Sequence, residues 1–250
     1  MYKTIKRHKS DKMMEIRAIK IKLLNHLFYH TEISNGSITG GFLGDLALTY
    51  ALNKVLNDRA NVYEYSRLKP EYREIIDFGY YFTVGKPVKL KETKSNKLTY
   101  AYSGKPIRTG SYTRNTLFNT DGFYDIKSIE KSGKSPFKNL IHTQGVALGN
   151  EFVALLISKE NIEIPKTLRI GNQKETLLEF LEIPFDKTDN DFWLNAYTLK
   201  IVFDNLKMAM DISVEENGTV NYQYVLENYA LLKGFSVEQV EKIFSQNFNN

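Results

Sequence analysis

Over residues 103 to 140 the apolar periodicity that marks buried helices and strands disappears. Gly104, Gly110, Gly122, Gly133 and two prolines interrupt the span, and no stripe of large apolar side chains repeats within it. A segment of that length without a buried face cannot be a core element. It reads as a long excursion or irregular hairpin, and the core must come from what flanks it.

The flanks carry clear periods. Ile19 to Leu23 alternates apolar residues with Lys20 and Lys22, the pattern of a strand with one face on a core. Leu43, Leu46, Ala47, Tyr50 and Val55 recur at helical spacing, and Leu48, Leu52 and Leu56 fall partly on the other side, which predicts a helix buried over much of its circumference. Pro70 to Asp77 predicts a short charged helix. Strands are expected at Tyr80 to Val84, Val88 to Leu90, Leu98 to Tyr102, Phe152 to Ile157, Leu168 to Gly171, Thr198 to Phe203 and Lys207 to Ile212. Ser236 and Gln239 form a capping box ahead of the stripe Val237, Val240, Ile243 and Phe244, so a helix closes the chain. Residues 1–13 show no pattern and read as a basic tail, leaving one domain over 14–250 with an insertion at about 95–140. The order of elements is that of an α+β protein on an antiparallel sheet, with a ferredoxin-like (RRM-like) architecture expected.

Cysteine is absent, which excludes a disulfide framework and thiolate metal sites. No run approaches the roughly 18 apolar residues of a membrane span, and the basic opening Lys3 to Lys12 leads into a Lys-interrupted stretch instead of a signal-peptide core. The expectation is a cytoplasmic protein without membrane contact. The net charge of +5 is unevenly spread: residues 81–140 hold twelve basic and four acidic side chains, residues 141–250 nine and sixteen. One basic and one acidic region suggest two faces with different partners, a polyanion and a protein.

Signatures of catalysis are scarce. Ser132-Gly133-Lys134-Ser135 imitates the end of a phosphate-binding loop, but Ser128 stands where the first glycine belongs and no strand-to-helix pattern frames it. His26 and His30 are four apart, yet they follow a strand pattern, where that spacing does not converge two ligands on a metal. His142 has the chemistry of a general base for RNA cleavage but no partner acid nearby in sequence. No catalytic residue, metal or cofactor is assigned.

Signatures of binding are stronger. Ten aromatic residues lie from Tyr80 to Phe137 among the basic ones, the mixture that neutralises phosphates and stacks under splayed bases. Arg108-Thr-Gly-Ser-Tyr112-Thr-Arg114 concentrates it: the arginines can fork onto phosphate or stack on bases, Ser111 and Thr113 can donate to phosphate oxygens and Tyr112 can stack, and the alternative is an ordinary tyrosine-bearing surface loop. Gly40, Gly41 and Gly44 precede the core helix and suit either a phosphate cradle or a tight packing turn. Arg169 and Lys174 flank Gly171 in Pro165 to Lys174, a phosphate-contacting loop or a plain hairpin turn.

The stretch Ile19-Lys-Ile-Lys-Leu-Leu-Asn25-His26-Leu27-Phe28-Tyr29, then Glu32 and the helix Leu46-Ala-Leu-Thr-Tyr50-Ala51-Leu52, resembles the opening of the small type I-D CRISPR subunit that caps the 5′ end of the guide RNA. Leu168-Arg169-Ile170-Gly171 resembles that family's later arginine-glycine strand and loop. The resemblance implies a RAMP fold, with a ferredoxin-like palm and a protruding basic β-hairpin thumb, and the 95–140 excursion is the natural thumb. It also implies a non-catalytic subunit of an interference complex (Cascade) that holds the 5′ handle of the CRISPR RNA and docks the large subunit and the backbone subunit. The residues expected to meet RNA are Lys105, Arg108, Ser111, Tyr112, Arg114, Arg169, Lys174, Gly40 and Gly41. A metal-independent repeat endoribonuclease and a protein-only assembly module are the alternatives.

Overall fold

The structure, a computed structural model, describes residues 14–27, 36–38, 41–57, 72–88, 108–115, 138–146, 148–171, 176–226 and 229–248. Its elements are β1 (Glu15–Leu23), β2 (Gly36–Ile38), α1 (Asp45–Leu56), a 3₁₀ turn (Tyr72–Glu74) running into α2 (Ile75–Phe78), β3 (Tyr80–Phe82) and β4 (Lys86–Pro87). Then come β5 (Arg108–Asn115), β6 (Lys138–Gly145), β7 (Glu151–Ser158), β8 (Thr167–Ile170), β9 (Thr176–Ile183) and β10 (Asn190–Asn195). The chain closes with α3 (Ala196–Thr198), a π-helical turn (Leu199–Phe203), α4 (Leu206–Asn217), β11 (Tyr222–Leu226), β12 (Tyr229–Ser236) and α5 (Val237–Phe248).

The main sheet has the order β3-β7-β1-β9-β8, with β4 also on β7, and all its pairings are antiparallel. The alternation in β1 sets its two faces. Ile19, Ile21 and Leu23 point inward to Leu48 and Leu52 of α1 and to Phe82, Phe152, Leu156, Leu168, Leu178 and Phe180. Helix α1 packs against both β3 and β8, the first and last strands of that order. Flat strands spaced about 4.8 Å apart would separate those edges by about 19 Å, far more than the roughly 10 Å width of a helix. The sheet therefore curls around α1 as a half-barrel. On its outer face, Ala18, Leu155, Ile157 and Tyr81 pack with Leu199, Phe203, Ile212, Phe244 and Phe248 from the C-terminal helices. Those helices cover one end, and Lys20 and Lys22 emerge at the other, Lys20 paired with Glu151 at 2.9 Å.

Helix α1 meets the edge strand β3 through a polar stripe. Asp45, Thr49 and Asn53, four residues apart, are all buried. Tyr81 Oη donates to Asp45 (2.8 Å), the Phe82 backbone N–H to Thr49 Oγ1 (3.0 Å), and Tyr80 Oη to Asn53 Oδ1 (2.8 Å). Edge strands leave backbone groups unpaired, and here the helix satisfies one of them. Asp45 also accepts from Asn195 Nδ2 (3.0 Å) and from Thr198 Oγ1, while Asn195 Oδ1 accepts from the Tyr197 and Ala230 amides. One carboxylate thus ties α1 and β3 to the second sheet, β10-β12-β11, and to α3. Burial raises its pKa above the ordinary carboxylate value, and the hydrogen bonds from Thr198, Tyr81 and Asn195 oppose that rise.

Two expected strands are helical instead. Thr198 to Phe203 falls in α3 and the π turn, and Lys207 to Ile212 falls in α4. The buried positions Leu199, Val202 and Phe203, then Ala209, Ile212 and Ser213, are three or four apart, the helical period, and Asn195 accepts from the Tyr197 amide as N-cap. Strands β9, β10, β11 and β12 were not expected from the sequence. Of the strand sought at Val88 to Leu90 only Val88 is described: it follows β4, and its amide donates to Glu151 O (3.0 Å), while Lys89 and Leu90 lie outside the described residues. Leu98 to Tyr102 and the 1–13 tail lie outside the described residues. The first strand, the core helix, the short charged helix, Tyr80 to Phe82, Phe152 to Ile157 and Thr167 to Ile170 stand where expected. So does the capping box, in which Gln239 Oε1 accepts from the Ser236 amide (2.7 Å) and Ser236 Oγ from the Gln239 amide (3.2 Å). The described residues 159–166, which leave β7 for β8, contain no helix, and Arg17 Nη2 fastens them to the sheet by donating to Ile162 O (2.8 Å). No helix among the described residues is long and apolar enough to cross a membrane.

Candidate nucleic-acid interface

The aperiodic excursion contains a regular hairpin stem. Strand β5 pairs antiparallel with β6 in unbroken register, from Arg108 opposite Gly145 to Asn115 opposite Lys138. Arg108, Ser111, Tyr112 and Arg114 therefore sit on one strand of the stem. A Gly-interrupted sequence without an apolar stripe still forms a ladder, because the pairing uses main-chain groups alone.

The stem is rooted at the end of β1. Leu27 and Val146 exchange two backbone hydrogen bonds of 2.9 Å, and β2 runs parallel to β6 with Gly36 opposite His142 and Ile38 opposite Gln144. His26 serves this root: its Nδ1 accepts from the Leu148 amide (3.2 Å), and its carbonyl accepts from Thr176 Oγ1 (3.0 Å). Its place past β1 gives it an architectural task. His142 occupies the middle of β6.

The remaining candidates separate. Gly41 is half-buried beside Phe42, whereas Gly40, Lys105, Lys174, His30 and the Ser132 to Ser135 segment lie outside the described residues. Gly44 precedes α1 because nothing larger fits: a Cβ there would stand 2.2 Å from Tyr229 Oη and 2.8 Å from its ring carbon. Of the two readings of the glycine run, this position takes the packing turn. Gly44→Ala is expected to cost about 1 to 3 kcal/mol, and Tyr229→Leu should remove most of that penalty. Thermal unfolding of both single variants and the pair measures this, and a strictly additive pair would refute the contact. Arg169 is exposed on β8 opposite Leu177, and Gly171 (φ +82°) leads from β8 toward its partner β9 as in a hairpin turn.

A second basic and aromatic cluster escaped the sequence reading. Strand β10 bulges at Asp191, where the register with β12 shifts on both sides of Phe192 and φ is +111°, a conformation strained for any side chain. The bulge aims the Asp191 carboxylate at two donors, Trp193 Nε1 (3.2 Å) and Lys86 Nζ (3.2 Å). Lys233, opposite Trp193 on β12, holds its ammonium 4.3 Å from the indole centroid and also donates to Gln223. Beneath, Trp193 packs on Phe42, Val84 and Leu231, and Val84 bridges to it. An exposed cation–π contact is worth about 0.5 to 1 kcal/mol and an exposed ion pair about 0 to 1. The Trp193 N–H bond to the Asp191 carboxylate adds about 1.5 to 3, and the strained residue costs about 1 to 3, so the contacts that the bulge creates offset its strain. The clue in the sequence was a sole tryptophan in a strand flanked by acids, Asp189 to Asn195.

No group of three or more His, Asp or Glu residues able to hold a metal occurs among the described residues. In comparisons with known proteins, the family model described as type I-D CRISPR-associated protein Cas5/Csc1 matches residues 14–246. No curated protein matches the chain.

Proposed function

We infer from the chain's membership of the type I-D CRISPR-associated Cas5/Csc1 family, which makes it a Cascade subunit, that it holds the 5′ handle of the CRISPR RNA and contributes no chemistry of its own. The observation that carries this reading is the β5–β6 stem, which belongs to a sheet separate from the half-barrel and lies within the most basic part of the chain. Guide–target base pairing supplies sequence specificity in such complexes, so a protein at the handle needs shape and phosphate neutralisation more than base readout.

In this reading the half-barrel is the palm of a RAMP-like domain over 14–250 and the stem is its thumb. Setting aside β4 and β8, the strand order β3-β7-β1-β9 has the directions of a ferredoxin-like sheet. Its second crossover helix is replaced by the 159–166 segment and β8. The CRISPR RNA meets Arg108, Ser111, Tyr112 and Arg114 on the stem, with Lys105, Gly40, Gly41, Arg169 and Lys174 as further contacts. The acidic region 141–250 faces protein, namely the large subunit and the first backbone subunit.

Affinity for a repeat-derived RNA should fall steeply with salt, with a log–log slope near −0.7 for each phosphate neutralised on a single strand. Binding isotherms from low to physiological salt test this, and a flat dependence would overturn the electrostatic part of the proposal. Incubation of repeat RNA with the protein in EDTA separates holding from cutting. Intact RNA is expected, and defined cleavage would move the endoribonuclease reading to first place.

A further inference from the structure

We propose that Trp193, flanked by Lys86 and Lys233, is a stacking site for an unpaired RNA base whose neighbouring phosphate is taken by the two ammonium groups. The proposal rests on the RNA-binding reading above and adds a contact surface on the β10-β12-β11 sheet, a different sheet from that of the hairpin stem.

Three observations converge on it. First, the indole is already in the arrangement that a base and its phosphate require. A cation stands over its ring at 4.3 Å, and its N–H is fixed by Asp191, so the ring plane is set before a ligand arrives. Second, the bulge that produces this geometry holds an aspartate at φ +111°, and strained backbone of this kind clusters at ligand sites. Third, the cluster draws one of its cations from the basic part of the chain. Val84 bridges to Trp193, Lys86 follows it on β4, and β4 is the last described element before the stem strand β5. Phe42, next to the half-buried Gly41, packs under the indole.

The chemistry selects a single-stranded nucleic acid over a protein. The cluster presents two lysines around an indole, lysine is depleted at the centres of protein interfaces, and an indole with neighbouring cations is what holds unpaired bases without regard to sequence. On binding, the Lys233 ammonium leaves the ring face for a phosphate oxygen, and the base takes the face it vacates. The flexible four-carbon stem of lysine permits that exchange.

The chain reports on this site by itself, since Trp193 is its sole tryptophan. Titration of the native protein with oligouridylate or oligoadenylate of about ten nucleotides, within the span of one such binding site, should quench the indole emission saturably. The midpoint should match that of the anisotropy of the same RNA carrying a fluorescein label. Trp193→Ala should weaken binding about tenfold, Trp193→Phe by less than threefold, and Lys233→Met severalfold with the quench retained. Saturable anisotropy without any change in emission would refute this site and leave the RNA-binding reading standing. Silence in both channels would refute both. Emission that responds to a purified partner subunit and not to RNA would assign the surface to protein and overturn the proposal.

Discussion

Asp45→Ala should lower the stability of the chain by about 3 to 5 kcal/mol, the cost of leaving three buried donors without their acceptor at about 1 to 3 kcal/mol each. The carboxylate accepts from Tyr81, Asn195 and Thr198, all in the interior, and alanine leaves all three donors without it in a place water does not reach. At about 2 to 4 °C per kcal/mol for a chain of this size, the melting temperature should fall by roughly 10 °C. A fall of less than about 2 °C by calorimetry would show that the network is not a tie between the two sheets. Asp45→Asn gives an independent check through pH. The folded carboxyl holds its proton more tightly than the unfolded one, because burial outweighs the hydrogen bonds it accepts. Folding therefore takes up a proton between the ordinary aspartate pKa and the raised folded one. The Asp45 contribution is most favourable below that window, declines as pH rises through it, and is constant above it. The difference in stability between the native chain and the asparagine variant should change across that window and nowhere else.

Replacing Arg108 and Arg114 together by alanine should reduce guide-RNA affinity more than tenfold, since a hydrogen bond to a charged group is worth about 1.5 to 3 kcal/mol. The salt dependence should flatten as well, by about 1.4 in log–log slope if each arginine neutralises one phosphate of a single strand. The fold should survive, because alanine keeps the main-chain groups through which β5 pairs with β6. Tyr112→Ala should weaken binding by a stacking contribution of about 1 to 3 kcal/mol while leaving the slope in place. Binding at several salt concentrations, beside thermal unfolding of each variant, separates these effects. Unchanged affinity in the double variant would remove the stem from the RNA path, and lost affinity with a large drop in melting temperature would make it structural.

What the sequence reveals depends on how strongly a residue's neighbours in the chain determine its surroundings. Ile19 to Leu23, the helix around Leu48 and Leu52, and the Ser236–Gln239 box were legible because local period and capping chemistry fix them. Thr198 to Phe203 was misread because a short apolar run fits both periods, and the groups that decide it, the Asp45 carboxylate and the Ala230 amide among them, lie far away in sequence. The polar stripe was visible as Asp45, Thr49 and Asn53 at helical spacing in an otherwise apolar helix, yet its meaning required β3. Gly44 suited either a phosphate cradle or a packing turn, and the tyrosine that decides for the turn, Tyr229, lies far away in sequence. The Trp193 cluster was signalled in the sequence only by its sole tryptophan. Its four members come from β4, β10 and β12, and only the bulge at Asp191 brings them together.

The parallel seam between β2 and β6 has a mechanical consequence. A simple hairpin peels open from either end, one rung at a time. Here Gly36 to Ile38 lies alongside His142 to Gln144, and Leu27 with Val146 closes the next rung, so the lower stem is gripped by the same chain segment that continues from the central strand. A force drawing the stem away from the half-barrel along β6 loads this seam in shear, in which several rungs must fail together. The rungs from Tyr112–Ile141 to Asn115–Lys138, beyond the seam, have no third strand among the described residues and yield singly. The stem is therefore a lever with a stiff lower half and a compliant upper half, and bending is concentrated near Ser111 opposite His142, where the third strand ends.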